Sequence, residues 1–469
     1  MININNISSI YFLGIGGIGM SALARYFNEK NIRVSGYDKT ETALTKMLVA
    51  EGIAIHYVDD ISCIDATADV VVYTPAIPAT HTELQYYKQH NYCLLKRSDV
   101  LSMLTTDTLC IAIAGTHGKT TTSAMIAHIL THSGYGCTAF LGGIATNYNS
   151  NYWSTGHNKI TVVEADEYDR SFLKLTPTMA VITSMDVDHL DIYGTEENMQ
   201  EAFIQFAANI KVGGYLIVKY GLKQGSRFTA TYTNTYDIAN DKANIVAQNI
   251  MIKDGAYVFT IKGSQYTLPQ VTLHMGGMHN IENVVAAIAV AKYLDIADEK
   301  IIAAVSSFAG VKRRFEYILK PAEGSDEIAN DKPILIDDYA HHPQELKALL
   351  EGAKNLYPHK KCIIIFQPHL YSRTIDLAAQ FAAVLNLADQ TWLLPIYPAR
   401  ELPIPGVTSA IIAAQTINER VELVTKEELM QQLLQIKLLP ASQLSQTVII
   451  TAGAGDIDTM VQPIKTIFS

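Results

Sequence analysis

Cysteine is scarce and unorganised in this chain. Its five residues, Cys63, Cys93, Cys110, Cys137 and Cys362, are odd in number and scattered over 469 positions, with no CxxC pair. That excludes a dense disulfide framework and fits a reducing cytosol. An excess of positive charge is also missing: the formal net charge is −10 and the isoelectric point about 5.8. This argues against gripping nucleic acid or an anionic membrane surface, so an anionic ligand must be held locally. Long hydrophobic runs are lacking as well. The apolar run Ile10 to Met20 is short and broken by four glycines, with no basic segment ahead of it. A membrane span needs roughly 20 apolar residues, so neither a span nor a signal peptide is expected. The chain reads as cytoplasmic, without nucleic acid or membrane partners, and without internal repeats or low-complexity tracts.

What is present is ample core material. With 48% hydrophobic and 17% charged residues in 469, the length suits three domains rather than one. The first hundred residues alternate strand (Ile10 to Leu13), glycine loop, helix (Ile18 to Lys30) and strand (Arg33 to Tyr37, later Val70 to Tyr73), which predicts a parallel sheet. After the polar joint Thr105-Thr106-Asp107, a strand (Leu109 to Ala114) runs into a second glycine loop and a helix (Thr120 to Thr131). Strands follow at Thr161 to Glu164 and Ala180 to Thr183. A polar, β-rich stretch from about Tyr215 to Leu273 reads as an insertion or accessory sheet, before a helix from Ile281 to Leu294. From Ile334 the strand and helix alternation restarts, through Cys362 to Phe366, Thr391 to Ile396 and Thr447 to Thr451. Leu346, Leu349, Leu350 and Ala353 recur at helical spacing, which is core packing and not a site. Domains are expected at 1–104, 105–316 and 317–469.

Two glycine loops carry the chemistry. Gly14-Ile15-Gly16-Gly17-Ile18-Gly19 lies between a strand and a helix, and Asp38 ends the next strand. Such glycines let backbone amides at a helix N-terminus approach a pyrophosphate, while the acid can bind a ribose. A tight turn is the alternative, and the motif does not name the nucleotide. Gly115-Thr116-His117-Gly118-Lys119-Thr120-Thr121 also follows a strand and opens a helix, where amides and a lysine can be aimed at ATP phosphates. It is a shortened variant of the usual phosphate loop, since Ile113 stands where the first glycine would be. Lys119 is expected on the phosphates and Thr120 on Mg²⁺.

Polar clusters follow at other strand ends. Glu164-Ala165-Asp166-Glu167 and Asp186-Val187-Asp188-His189-Leu190-Asp191 should open near the phosphates, where Glu164 can supply oxygen to Mg²⁺ and His189 is a less usual ligand. Helix capping by the aspartates and a hydrogen-bonded core histidine are the plain alternatives. Gly277-Met278-His279-Asn280-Ile281-Glu282-Asn283 opens a helix with side chains able to read an adenine edge, or simply to cap it. Lys312-Arg313-Arg314 precedes the third domain, where a solvated basic face is the alternative. Asp337-Asp338-Tyr339-Ala340-His341-His342-Pro343 and Phe366-Gln367-Pro368-His369-Leu370-Tyr371-Ser372-Arg373-Thr374 lie at carboxyl ends of strands, where open α/β sheets bind ligands. Arg373 can clamp a carboxylate.

Taken together these segments resemble the Mur ligase family along essentially the whole chain. The marks are GIGGIGMSALA, AGTHGKTTT, VEADEYDRSF, DHLDIYG, MHNIENVVAA, GVKRRFE, DDYAHHP, FQPHLYSRT, YPARELPIPGV and AGAGDI, in family order. The resemblance implies a Rossmann-like amino-terminal domain for a UDP-sugar, a P-loop ATPase-type central domain with an accessory β-sheet, and a Rossmann-like carboxy-terminal domain for the incoming amino acid. It implies UDP-sugar contacts at Gly14, Gly16, Gly17, Ile18, Gly19, Asp38 and Thr74. ATP contacts would come from Gly115, Thr116, His117, Gly118, Lys119, Thr120 and Thr121, with Asn280 and Asn283 near adenine, Arg314 on phosphates and Asp338 on the ribose. Mg²⁺ would be held by Thr120 and Glu164 and a second metal by His189, while His341 and Arg373 face the acceptor site.

The DDYAHHP and FQPHLYSRT segments point to the branch that ligates L-alanine to the lactyl carboxylate of UDP-N-acetylmuramate through an acyl phosphate, in peptidoglycan precursor synthesis. The chain departs from the family at Leu370, where an arginine is common. No lysine occurs between Lys174 and Lys211, whereas siblings for later additions use a carbamylated lysine there. Rival expectations are reattachment of a recycled tripeptide, an NAD-dependent oxidoreductase suggested by the first loop alone, and a P-loop binding or motor protein. A monomer or weak homodimer is expected.

Overall fold

The computed structural model describes residues 4–186, 190–320, 332–399, 401–417 and 421–469. These group into two compact units. The first is Met1–Gln248 with Thr260–Val271 and Glu282–Phe308, and the second is Asn249–Phe259 with Thr272–Ile281 and Ala309–Ser469.

Within the first unit, β1 (Ser9–Leu13), β2 (Arg33–Tyr37), β3 (Ala54–His56), β4 (Val70–Tyr73) and β5 (Leu94–Lys96) form a parallel sheet in the order 3-2-1-4-5. Every residue of β1 is buried, as a central strand covered on both faces must be. Helix Ile18–Glu29 buries Met20, Leu23, Ala24 and Phe27, one stripe at helical spacing. Because β1 lies between β2 and β4, the sheet order reverses there, and the crevice at their carboxyl ends is the expected ligand position. Thr105 and Thr106 are not a free joint. They end helix Arg97–Thr106, with Thr105 buried at 2% exposure.

A ten-stranded sheet follows. Its strands are β6 (Leu109–Ala114), β7 (Thr138–Ala145), β8 (Ser150–Ser154), β9 (Ile160–Glu164), β10 (Met179–Ile182), β11 (Tyr215–Lys219), β12 (Tyr232–Asp237), β13 (Ile245–Lys253), β14 (Ala256–Lys262) and β15 (Thr267–Leu273), in the order 15-14-13-12-11-10-6-9-7-8. The stretch 215–273 thus continues the central sheet. β6 pairs in parallel with both β9 and β10, matching Ile113 with Glu164 and Ala114 with Ile182. This register brings the second glycine loop, Glu164 and Thr183 to one sheet edge. One apolar core joins the first two sheets, from Ile10 and Phe12 through Phe140 and Tyr152 to Phe172 and Phe203.

In the second unit, β16 (Glu316–Leu319), β17 (Ile334–Asp338), β18 (Lys361–Phe366), β19 (Gln390–Leu393), β20 (Val421–Leu423) and β21 (Thr447–Ala452) form a sheet ordered 16-17-21-18-19-20, parallel except for β16. β19 stops at Leu393 and not at Ile396, two residues before Pro395, which has no N–H to give a neighbouring strand.

Candidate active site

The first glycine loop sits where β1 and β4 end. Gly14 has φ +86°, and a Cβ there would stand 3.6 Å from Thr74 Cγ2, so the two expected UDP-sugar contacts are neighbours across the switch point. Asp38 Oδ2 accepts from the Gly16 amide at 2.7 Å, while Oδ1 accepts from Thr40 N at 3.2 Å. The acid that ends β2 therefore closes on the loop itself. Gly17 N-caps helix Ile18–Glu29 without any side-chain cap, which leaves that helix end to backbone amides.

The second loop is fixed by the segment just past β10 and by helix Met278–Tyr293. Gly115 has φ +140°, and a Cβ there would come within 2.1 Å of Thr183 Oγ1 and 2.9 Å of Ser184 N. Gly118 has φ +80° and caps helix Lys119–His132. The Thr116 hydroxyl meets Ser184 Oγ at 2.9 Å and accepts from Asp186 N at 3.0 Å, and His117 N donates to Ser184 Oγ at 2.8 Å. Asn283, 6% exposed, accepts from Thr122 Oγ1 at 3.1 Å, and its Oδ1 would lie 2.5 Å from a Cβ on Gly118. Its side chain thus supports the loop; Thr121, in the same first helical turn, is buried.

Lys119 Nζ donates to Gly115 O at 2.7 Å and to Glu167 Oε1 at 2.8 Å. Glu167 is 1% exposed, and burial raises its carboxyl pKa although the Lys119 ammonium opposes the rise. Beside this pair the Thr120 hydroxyl donates to Glu164 Oε1 at 3.1 Å, and Gly142 N donates to Glu164 Oε2 at 3.0 Å. A hydroxyl next to a carboxylate oxygen is the hard donor set that Mg²⁺ takes. His189, the expected imidazole ligand, lies outside the described residues. Among the described residues no three His, Cys, Asp or Glu side chains gather for a metal.

The two loops open into one cavity of about 290 Å³, whose lining includes Ile18, Gly19 and Arg97 together with Lys119, Gly142 and Glu164. Arg97 pairs with Asp166 at 3.1 Å. Arg97, Gly142 and Glu167 are the residues that sequence reasoning gave no role. The signal for Arg97 was its place just beyond the carboxyl end of β5; Gly142 stands inside a strand and had none.

The second unit holds its own cluster. Asp338 accepts from Phe315 N at 2.6 Å and Ala340 N at 2.8 Å; burial pushes its pKa up to about 6, against the pull of Arg314. Arg314 is exposed, with its guanidinium 5.8 Å from the Tyr339 ring centroid, whereas Arg313 is held by Asp337 at 3.3 Å. Asn280, 4% exposed, donates to Gly276 O at 2.6 Å. At the ends of β17 and β18, His341 and His369 stand with ring centroids 5.9 Å apart, and His369 stacks on Tyr397 at 5.8 Å. Arg373 Nη1 lies 3.5 Å from His369 Nδ1, so the imidazole accepts and stays neutral, with burial pushing its pKa down to about 4. Leu370 adopts φ +71°, held by its amide's bond to Tyr397 O at 3.0 Å.

Glycine loops at the carboxyl ends of strands in two sheets, with a third, largely parallel sheet, define an α/β protein of the nucleotide-binding type. The comparisons agree. Residues 9–108 match the Mur ligase family catalytic domain, 113–291 the Mur ligase middle domain, and 313–455 the Mur ligase glutamate ligase domain. The chain belongs to the Mur ligase family, whose members are ATP-dependent, amide-forming ligases.

Among its relatives, the UDP-N-acetylmuramate--L-alanine ligase of Cytophaga hutchinsonii is 45% identical over 99% of this chain and 97% of that one. The protein of the same name from Porphyromonas gingivalis is 44% identical, covering 97% and 98%. The crystal structure of the UDP-N-acetylmuramate-alanine ligase of Thermotoga maritima superposes with a TM-score of 0.79 at 26% identity, over 98% of each chain. The murein peptide ligase of Psychrobacter arcticus shares the fold at a TM-score of 0.67 and 22% identity, over 98% of each.

Proposed function

We propose that the chain ligates L-alanine to the lactyl carboxylate of UDP-N-acetylmuramate at the cost of ATP, as a cytoplasmic step in building cell-wall peptide. The observation that carries this reading is the shared cavity, in which the first turn behind the UDP-sugar loop and the ATP-loop lysine line the same space. Full-length relatives at 45% identity bear the same name and support it. The domains 1–104, 105–316 and 317–469 then hold UDP-sugar, ATP and amino acid respectively. Family membership removes the oxidoreductase alternative, and no observation favours tripeptide reattachment.

A carboxylate is a poor electrophile, so the γ-phosphoryl group of ATP must first be transferred to it, giving an acyl phosphate and ADP. The alanine amine then attacks the carbonyl carbon, and the tetrahedral intermediate expels inorganic phosphate to leave the amide. In this scheme Lys119 exchanges its bond to Glu167 for the transferring phosphoryl oxygens, and the loop amides hold the chain of phosphates. Thr120 and Glu164 fit Mg²⁺, which when bound would neutralise phosphate charge; His189 is the residue proposed for a second metal. Asn280 and Asn283 serve adenine, Arg314 the phosphates and Asp338 the ribose. His341 and Arg373 serve the incoming amino acid, with neutral His369 beside the guanidinium.

The test is incubation with ATP, Mg²⁺, UDP-N-acetylmuramate and either a mixture of amino acids or the murein tripeptide. The expected product is the L-alanyl amide alone; an exclusive tripeptide product would replace the reading.

A further inference from the structure

We infer that Arg97 is a substrate-holding residue, gripping an oxyanion of the UDP-sugar beside the first glycine loop; this rests on the function proposed above. Among the described residues, Arg97 and Lys119 are the only basic side chains lining the cavity that joins the two loops. Lys119 is turned toward Gly115 O and Glu167, on the ATP side. Arg97 is turned toward the first loop: its Nη1 would lie 2.5 Å from a Cβ on Gly19. The missing side chain at Gly19 is therefore what lets a guanidinium lie against the first turn of helix Ile18–Glu29, where backbone amides already favour an anion.

Arg97 is held rather than loose. It opens helix Arg97–Thr106, its side chain is 26% exposed, and Nη2 donates to Asp166 Oδ2 at 3.1 Å. Asp166 is 40% exposed, so this pair is a weak one that a better anion can displace or share. The guanidinium has five donors in a planar fork, matched to the paired oxygens of a carboxylate or phosphate. In a protein of net charge −10, a dianionic or trianionic ligand needs such a local cation. The proposed substrate carries two oxyanions that suit the fork, the diphosphate and the lactyl carboxylate.

Isothermal titration of UDP-N-acetylmuramate and of UDP-N-acetylglucosamine, which has the diphosphate but no lactyl carboxylate, tests the inference on the full chain. R97A should weaken UDP-N-acetylmuramate by roughly 10- to 100-fold and leave ATP binding unchanged. An equal loss for both sugars assigns the diphosphate, and a loss confined to UDP-N-acetylmuramate assigns the carboxylate. D166N, which breaks the ion pair but keeps the guanidinium, should hold UDP-N-acetylmuramate within about threefold of wild type. Unchanged binding by R97A, or a D166N loss equal to that of R97A, would overturn the inference and reduce Arg97 to a structural latch. Failure of the wild-type chain to bind either sugar nucleotide would instead count against the function proposed above.

Discussion

Lys119 and Glu167 form a buried ion pair at the phosphate loop. The ammonium is only 14% exposed, yet both of its bonds are to groups that ATP phosphate can replace. Lys119→Ala should lower kcat by about 100-fold or more, with UDP-N-acetylmuramate affinity and the far-UV spectrum kept; near-normal turnover would remove the ATP assignment. Arg373→Ala should raise KM for L-alanine by roughly 10- to 150-fold, the loss of a charge-assisted pair. Leu370, apolar and three residues before it, offers no second cation to compensate. Parallel KM values for alanine, ATP and UDP-N-acetylmuramate check this, and a large ATP effect beside an unchanged alanine value would move Arg373 to the nucleotide.

Glu83 carries a different prediction, one of stability. Its side chain is fully buried under the first sheet and accepts from Tyr11 Oη at 2.6 Å, with His56 Nε2 3.6 Å away. Burial pushes its pKa up from 4.5 to about 7. Below pH 4.5 the carboxyl is neutral folded or unfolded, and its contribution is fully present. Between about 4.5 and 7 the folded state alone keeps the proton, so that contribution is lost as pH rises through 7, by a total on the order of 3 kcal/mol. Burial lowers the pKa of His56 and of His81, which acts in the opposite sense. Urea unfolding of wild type and Glu83→Gln at pH 5 and pH 8 separates the two. Wild type should lose stability relative to the variant at the higher pH, and a constant difference would contradict the assignment.

At the scale of elements, Gly115 in the phosphate loop and Gly134, past the C-terminal end of helix Lys119–His132, differ in what an added side chain would meet. Gly115→Ala meets Thr183 Oγ1 and the backbone of Thr183 and Ser184 just past β10, while Gly134→Ala, also at positive φ (+79°), meets nothing within 4 Å. Gly134→Ala should therefore cost only backbone strain, about 1 kcal/mol, and Gly115→Ala should cost more, perturbing the loop as well. Urea unfolding and ADP titration of both variants measure it; equal stability losses with intact ADP binding would show that the loop tolerates the side chain.

The elements also show what the sequence could and could not disclose. β4 and β6 carry continuous apolar runs, and their limits, like those of the more polar β2, were legible to the residue. β7 was not, because Gly142 and Gly143 interrupt it and its pairing with β8 shifts register between Phe140 and Ala145. The same glycine that hid the strand makes room for Glu164, so the site residue and the missed element are one feature. Thr120 was legible because it lies in the first turn of the helix that a recognisable loop opens, and Glu164 because it is an acid at the carboxyl end of a strand. Glu167 and Arg97 were not: their roles come from partners 48 and 69 positions away along the chain.

For the whole molecule, the account makes one chemical claim, that the sugar's carboxylate is activated by phosphoryl transfer before alanine attacks. Full-length similarity to L-alanine ligases and the cavity shared by the two glycine loops support it. The most direct measurement uses UDP-N-acetylmuramate labelled with ¹⁸O in both oxygens of its lactyl carboxylate, together with ATP, Mg²⁺ and L-alanine. The account predicts that each amide formed retains one ¹⁸O and that each phosphate released carries the other. Amide formation with unlabelled phosphate, or labelled substrate returned intact while ATP is hydrolysed, would contradict it.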